Sequence, residues 1–380
     1  MIFHFILPFD FLLSLSFYII PCKFAVVVRR RGVMETSQTE IFYHSGPTFL
    51  TSVDWSNSYH RRSIAASLVQ GMYILEHDRQ NQRQGPSGNA SPWWEFFNFK
   101  LIQVIEDEHD LSIFGAILEF EFPYHLQHNH PTQRPPQYVI AFRGTMTDSR
   151  NRAEDLKLDL HCVLNDLQKS TRILNAIDKA QEIVSRVGLG NVWLAGHSLG
   201  SSMALIIGRE LAKNTGTHLE TYLFNPPFIS LPVEWIPSEK LKHGLRFANS
   251  VITAGLAMVA GGYHGQESAE KHPFDLLSSW VPYLFLNPFD PICCEYIGYF
   301  EHRQKMESIG AGKIGKLATQ HSIGSIVSGG RENDFEAIHL IPSAYLTVNL
   351  SNAQGVREAH GIEQWWKQES EFKYNLYHYM

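Results

Sequence analysis

Residues 191–211 read NVWLAGHSLGSSMALIIGREL, and this stretch decides the fold of the 380-residue chain. Residues 191–195 are apolar and have the length of a short buried strand, whereas residues 199–211 have the length and composition of a helix. Between the two elements, residues 196–200 read GHSLG, a G-x-S-x-G pattern. The order of strand, pattern and helix predicts a sharp turn that holds a serine at the end of a sheet strand.

Ser198 is the residue that this turn would expose. The turn is so tight that Ser198 must adopt a strained backbone, and a side chain at Gly196 or Gly200 would clash. The hydroxyl then stands above the sheet edge, where the N-terminus of the following helix favours developing negative charge. We therefore interpret Ser198 as a nucleophile, with His197 packed beneath it rather than acting as a base. The alternative is an ordinary glycine-flanked turn with a surface serine.

The rest of the chain alternates between helical and strand-like segments. Short apolar strands separated by helices indicate a mostly parallel sheet covered on both faces, which is an α/β fold. No repeat or linker divides residues 34–380, so one domain is expected, with a cap-like insertion around residues 228–281. The patterns predict helices over 63–75 and 171–187, and strands over 112–122, 138–142, 191–195, 219–224 and 282–286.

Composition narrows the functional classes. A content of 44% hydrophobic and 18% charged residues excludes a disordered or fibrous chain. The net charge of −6, with no long basic run, excludes nucleic acid as the main partner. The four cysteines are too few for a disulfide scaffold, and the motifs of metal or nucleotide sites are absent from the sequence. We expect a cytoplasmic protein that needs no cofactor and no metal.

The N-terminus departs from this composition. Residues 2–28 form an apolar run long enough to span a bilayer, and Arg29 to Arg31 follow it. One interpretation is a membrane anchor, which would add membrane association to the cytoplasmic location. The other is that translation starts at Met34, so that residues 1–33 are an extension without a structural role.

A serine hydroxyl becomes a good nucleophile only when a histidine takes its proton, and that imidazole needs a carboxylate to fix its tautomer. Asp290 follows the apolar run 283–286, and the carboxyl ends of sheet strands are where ligand chemistry collects. Its alternative role is to cap a turn before Pro291. Two histidines further along, His339 and His360, remain candidates for the base.

Acyl transfer also requires donors for an oxyanion. The backbone N–H of Leu199, directly after Ser198, is one candidate. The sequence FRGT at 142–145 follows a predicted strand, and Thr145 can offer its backbone N–H and its hydroxyl. The alternative is a plain strand-ending turn.

FRGT at 142–145, GHSLG at 196–200 and NPFDP at 287–291 together resemble the lipase (class 3) family of α/β-hydrolases. The chain is most similar to a plant branch of lipase-like proteins sometimes labelled GDSL esterase/lipase, although no GDSL tetrapeptide occurs in it. Segments 51–76 and 93–97 look like that branch too, and the resemblance spans about residues 45 to 368.

The resemblance implies an α/β-hydrolase fold with Ser198 as nucleophile, Asp290 as acid and Thr145 at the oxyanion. It favours His339 over His360 as the base, since His339 precedes a Tyr-Leu pair and then a tryptophan pair, as in plant members. The activity it implies is hydrolysis of carboxylic or acyl lipid esters. The alternative is a non-catalytic lipase-like protein that binds partners or senses a ligand.

Overall fold

The structure is a computed structural model that describes residues 39–122, 134–146, 170–228, 276–310, 339–368 and 370–379. All of these belong to one compact unit, Ser37–Met380. The apolar run 2–28, the alternative start at Met34 and most of the cap-like insertion lie outside the described residues, so those interpretations stay predictions. Within the described ranges, no helix is both long and apolar enough to cross a membrane.

The described part of the chain is built on one eight-stranded sheet, whose strands lie side by side in chain order. The five central strands, β3 to β7, are parallel. The outer strands β1, β2 and β8 pair antiparallel. The strands are β1 Phe99–Glu106, β2 Ile113–Phe120, β3 Tyr138–Phe142, β4 Val192–His197, β5 Glu220–Phe224, β6 Tyr283–Leu286, β7 Ala344–Asn349 and β8 Phe372–Tyr377. The prediction of a mostly parallel α/β sheet is confirmed.

Helices cover both faces of this sheet. One face packs against α2, α3 and the 3₁₀ turn Ile362–Trp365, and the other packs against α4, α5 and α6. The helices that the structure describes are α1 Thr39–Ser45, α2 Ser58–Gln80, α3 Pro92–Glu95, α4 Thr171–Val187, α5 Leu199–Thr215, α6 Glu295–Ser308 and α7 Val356–His360. The predicted helix 63–75 is the middle of α2, which Asn57 caps with its side chain.

Two hydrophobic cores result from this arrangement. Successive side chains of a strand point to opposite faces, so Val139 and Ala141 of β3 enter one core while Ile140 and Phe142 enter the other. Every residue of β3 and of β4 is buried, because both faces of the central strands are covered. These strands therefore form a rigid base for the loops at their ends.

The carboxyl ends of the parallel strands share one edge of the sheet. The chain leaves β3 into Arg143 and Gly144, leaves β4 at Ser198, and leaves β6 into the turn that carries Asp290. After β7 it passes through α7, which ends at His360. Four separate strands thus deliver the residues that meet at this edge.

Candidate active site

The turn between β4 and α5 has a strained backbone at Ser198, where φ is 54° and ψ is −126°. A positive φ is uncommon for a residue with a side chain. A Cβ added to Gly196 would lie 2.2 Å from the carbonyl oxygen of Gly200, and one added to Gly200 would lie 2.4 Å from that of Phe142. Both glycines are therefore required sterically, and they hold a nearly buried Ser198 at the sheet edge.

Asp290 is completely buried and receives several hydrogen bonds. Its Oδ2 accepts from His360 Nδ1 at 2.8 Å and from Asn225 Nδ2 at 2.7 Å. Its Oδ1 accepts from the backbone N–H of Ile292 at 3.0 Å. Burial by itself would raise the pKa of Asp290, but the charge of His360 and these hydrogen bonds together lower it below its ordinary value. The arrangement therefore favours a carboxylate at this position.

The structure brings His360 to Asp290, whereas the family resemblance favours His339 as the base. His339 lies instead against Phe228, with the two ring centroids 4.5 Å apart in an edge-on contact. The physical reason is that α7 folds back over the sheet edge, where the Ala359 carbonyl accepts a hydrogen bond from Asn225 at 3.1 Å. We therefore correct the assignment and take His360 as the candidate base.

Asn225 is a residue of this site that the sequence analysis missed. It directly follows β5, has a φ of 47° and is fully buried. Its amide nitrogen donates to Asp290, and its Oδ1 accepts from Trp365 Nε1 at 2.7 Å. Asn225 thus joins the acid to the segment that carries His360. A possible signal was its place at the end of a predicted strand, since asparagine tolerates positive φ better than most residues.

Cys293 contacts the same carboxylate, with its Sγ 3.2 Å from Asp290 Oδ2. Burial first, and then the charge of Asp290, raise the pKa of the Cys293 thiol well above its usual range. The thiol therefore stays protonated and acts as a further donor to Asp290.

The loop after β3 lies against the serine. A Cβ added to Gly144 would be 2.8 Å from the Cβ of Ser198. Thr145 follows and is exposed. On the other side of Ser198, Leu199 is the first residue of α5, so its N–H has no acceptor within the helix. The Gly144 loop and the first turn of α5 thus both adjoin Ser198.

His197 is buried behind the serine and is bound at both ring nitrogens. Its Nδ1 lies 2.8 Å from the Tyr73 hydroxyl, and its Nε2 lies 2.7 Å from the carbonyl oxygen of His360. Burial, followed by the charge of His360, lowers the pKa of His197 to about 3. The ring is therefore neutral at ordinary pH, with the proton on Nε2, because a carbonyl oxygen can only accept.

A neutral buried His197 predicts a pH-dependent stability. In the unfolded chain the pKa of histidine is about 6.5, whereas in the folded protein that of His197 is about 3. Between these values the unfolded state binds up to one more proton, so the free energy of unfolding should fall on acidification with a slope that rises to about 1.4 kcal/mol per pH unit below about pH 5.5. Above about pH 6.5 the contribution is complete. Urea unfolding at roughly pH 7, 6 and 5 measures the slope.

The matched variant for this prediction is His197→Asn, which has no titrating group at this position. The other ionisable groups are the same in both proteins, so the difference between the two slopes isolates His197. Equal slopes in the wild type and the variant would contradict the prediction.

The fold and this edge define a class of protein. A strained serine turn between a strand and a helix, on a mostly parallel sheet covered on both faces, with an Asp–His pair beyond later strands, is the arrangement of an α/β-hydrolase. A protein of Arabidopsis thaliana named GDSL esterase/lipase is 48% identical over 354 residues, covering 91% of this chain and 100% of that protein. The chain therefore belongs to this esterase/lipase family.

The other comparisons with known proteins add nothing to this family assignment. No family model matches the chain. A lipase from Rhizopus microsporus var. chinensis is 13% identical, with 66% of this chain and 74% of that one covered and a TM-score of 0.31. An esterase from Pyrobaculum calidifontis is 12% identical, with 74% and 96% covered and a TM-score of 0.22. TM-scores this low carry no weight for function.

Proposed function

We propose that this protein is a serine hydrolase of carboxylic esters, with Ser198, His360 and Asp290 as its catalytic residues. The observation that carries the proposal is the 2.8 Å hydrogen bond between His360 Nδ1 and the buried Asp290, beside the strained turn of Ser198. A carboxylate that accepts the Nδ1 proton leaves the Nε2 lone pair of a neutral imidazole available as a base.

In the first half of the reaction, the Ser198 hydroxyl attacks the ester carbonyl while His360 Nε2 takes its proton. The negative charge that develops on the carbonyl oxygen is held by the N–H groups of Thr145 and Leu199. The carbon–oxygen bond to the alcohol then breaks, and the imidazolium of His360 protonates the departing alcohol. The product at this stage is an acyl ester of Ser198.

In the second half, water attacks the acyl ester and gives its proton to His360 Nε2. The carbon–oxygen bond to Ser198 breaks, the serine oxygen regains the proton, and a carboxylic acid is released. Asp290 stays ionised throughout and stabilises the imidazolium that forms in each half. No cofactor or metal takes part in these steps.

The substrate class rests on two supports. The Arabidopsis relative is named an esterase/lipase, which favours an acyl ester or lipid substrate. The sequence after Thr145, residues 146–157, reads MTDSRNRAEDLK and is polar, which favours a monoacyl ester or polar lipid over bulk triglyceride. We also propose that the protein belongs to the class 3 branch of lipases and that it is cytoplasmic, with membrane association through residues 2–28.

Covalent labelling of the full-length chain with a fluorophosphonate probe tests the proposal. We expect the wild type to be labelled and Ser198→Ala to lose the label completely. Ser202→Ala is the matched control, because this buried serine lies one turn along the same helix and should keep full labelling. If folded wild-type protein takes no label, the non-catalytic alternative, a lipase-like interaction or ligand-sensing protein, replaces the esterase.

A further inference from the structure

A continuous set of hydrogen bonds runs behind the candidate site, from the loop after β3 to the end of α7. The backbone N–H of Gly144 donates to the Tyr73 hydroxyl at 2.7 Å. The same hydroxyl lies 2.8 Å from His197 Nδ1, and His197 Nε2 lies 2.7 Å from the His360 carbonyl oxygen. One tyrosine of α2 and one histidine of the serine turn thus join three loops that come from different strands.

The direction of every bond in this set is fixed by chemistry. The His360 carbonyl can only accept, so His197 Nε2 carries the proton. The neutral ring then has a lone pair at Nδ1, which accepts the proton of the Tyr73 hydroxyl. The Tyr73 oxygen accepts in turn from Gly144. Burial raises the pKa of Tyr73, so the hydroxyl keeps the proton that it donates.

The loop after β3, which contains Gly144 and Thr145, is held by hydrogen bonds to both the N–H and the carbonyl of Gly144. Its N–H is bound by Tyr73, and its carbonyl oxygen accepts from Arg143 Nη1 at 2.7 Å. Because a peptide bond is planar and trans, the carbonyl of Gly144 and the N–H of Thr145 point in opposite directions. Fixing the Gly144 carbonyl therefore also fixes the direction of the Thr145 N–H. The Gly144 N–H itself is already bound to the Tyr73 hydroxyl.

We propose that Tyr73 is a positioning residue, whose hydroxyl holds the Gly144–Thr145 loop and, through His197, the His360 segment in the arrangement that the reaction requires. Tyr73 does not touch the reacting atoms; it acts through Gly144 and His197. The catalytic half of this inference rests on the proposed esterase activity, whereas the order that Tyr73 imposes on the Gly144 loop does not.

The test compares Tyr73→Phe with Tyr59→Phe in the full-length chain. Both substitutions remove one hydroxyl from α2, and the Tyr59 hydroxyl donates to the Trp366 carbonyl at 3.0 Å, outside the chain of bonds described above. We expect kcat of Tyr73→Phe to fall by about 10- to 100-fold with KM changed less than about two-fold, since an oxyanion donor and the base lose their alignment. Tyr59→Phe should keep the wild-type kcat.

Two variants of His197 separate the contributions of its two hydrogen bonds, one to Tyr73 and one to the His360 carbonyl. In His197→Asn the amide reaches the position of Nδ1 and can still accept from Tyr73, whereas in His197→Gln it reaches that of Nε2 and can still donate to His360. We expect kcat to fall in both, and the additional loss from Tyr73→Phe to be larger in the Asn background than in the Gln background. Equal additional losses in both backgrounds would overturn the coupling through His197.

A second readout keeps the inference separate from the proposed activity. Amide hydrogen exchange of the segment containing Gly144 should show faster exchange of one amide in Tyr73→Phe but not in Tyr59→Phe. Unchanged exchange in Tyr73→Phe overturns the inference whether or not the protein is an esterase. Faster exchange with an unchanged kcat in an active enzyme overturns the catalytic half. Faster exchange together with reduced kcat supports the whole inference.

Discussion

His360→Ala is expected to lower kcat/KM for an ester by at least about 10⁴-fold, whereas His339→Ala should leave it within a few-fold of the wild type. The reason is that, of these two histidines, His360 is the one hydrogen-bonded to the buried carboxylate of Asp290, which fixes its tautomer. In the proposed mechanism, this imidazole is the group that accepts the Ser198 proton. The measurement is hydrolysis of a chromogenic short-chain ester by both variants and the wild type.

His339→Ala is a demanding control, since His339 is the histidine that the family resemblance favours. Its ring packs edge-on against Phe228, and removing it deletes a contact of about 0.5–1.5 kcal/mol. We therefore expect a small loss in melting temperature and normal labelling by a fluorophosphonate. A collapse of labelling in His339→Ala, with His360→Ala still active, would contradict the assignment of the base.

The two histidines show where inference from the sequence ended. Ser198 and Asp290 could be placed at one edge of the sheet, because Ser198 directly follows one apolar strand, Asp290 lies in the turn after another, and the ends of parallel strands meet at one edge. A histidine far beyond its strand has no such restriction. His360 lies at the end of the short helix α7, and its position depends on a hydrogen bond from Asn225 to Ala359. No local pattern encodes a contact between residues 134 positions apart.

The strands also differ in how well the sequence predicts them. The buried strands β3 and β4 are continuous apolar runs, and their predicted positions agree with the structure to within two residues at either end. Three strands were not predicted. The edge strands β1 and β8 lack a regular alternation between less and more exposed residues, and in the mostly buried β7 the polar Thr347 and Asn349 interrupt the apolar run. In β1 the pairing register shifts between Leu101 and Gln103, which breaks the two-residue period that identifies a strand.

Tyr73 was missed for a related reason. The helical pattern over 63–75 predicts an apolar face, and Tyr73 lies next to Met72 of that face. Its ring suits a partly buried helix position, so nothing in the sequence distinguishes it from an ordinary packing residue. Its hydroxyl gains a role only because α2 crosses beneath both Gly144 and His197. Such residues are identified by their partners, which a sequence does not list.

Asp290→Asn is expected to reduce kcat by about 10⁴-fold and also to destabilise the fold. The amide cannot satisfy its surroundings in either orientation. With its NH₂ at the position of Oδ2 it would face the donors of Asn225 and Cys293, and His360 could accept from it only in the tautomer that carries its proton on Nε2 and cannot act as a base. With the NH₂ at Oδ1 it would face the N–H of Ile292. A buried donor set against another donor, and the loss of the charge beside His360, should cost about 3 kcal/mol or more.

The matched control is Asp78→Asn, which makes the same change at another buried aspartate. Asp78 accepts from the backbone N–H groups of Asn89 and Ala90 and from Arg83, and it takes no part in the site. We therefore expect both variants to melt at lower temperature, but only Asp290→Asn to lose kcat and the rate of fluorophosphonate labelling. A carboxylate that orients the base cannot be replaced by an amide without removing the partner of the imidazolium. If Asp290→Asn kept kcat within about ten-fold of the wild type, Asp290 would therefore be a structural residue of the turn.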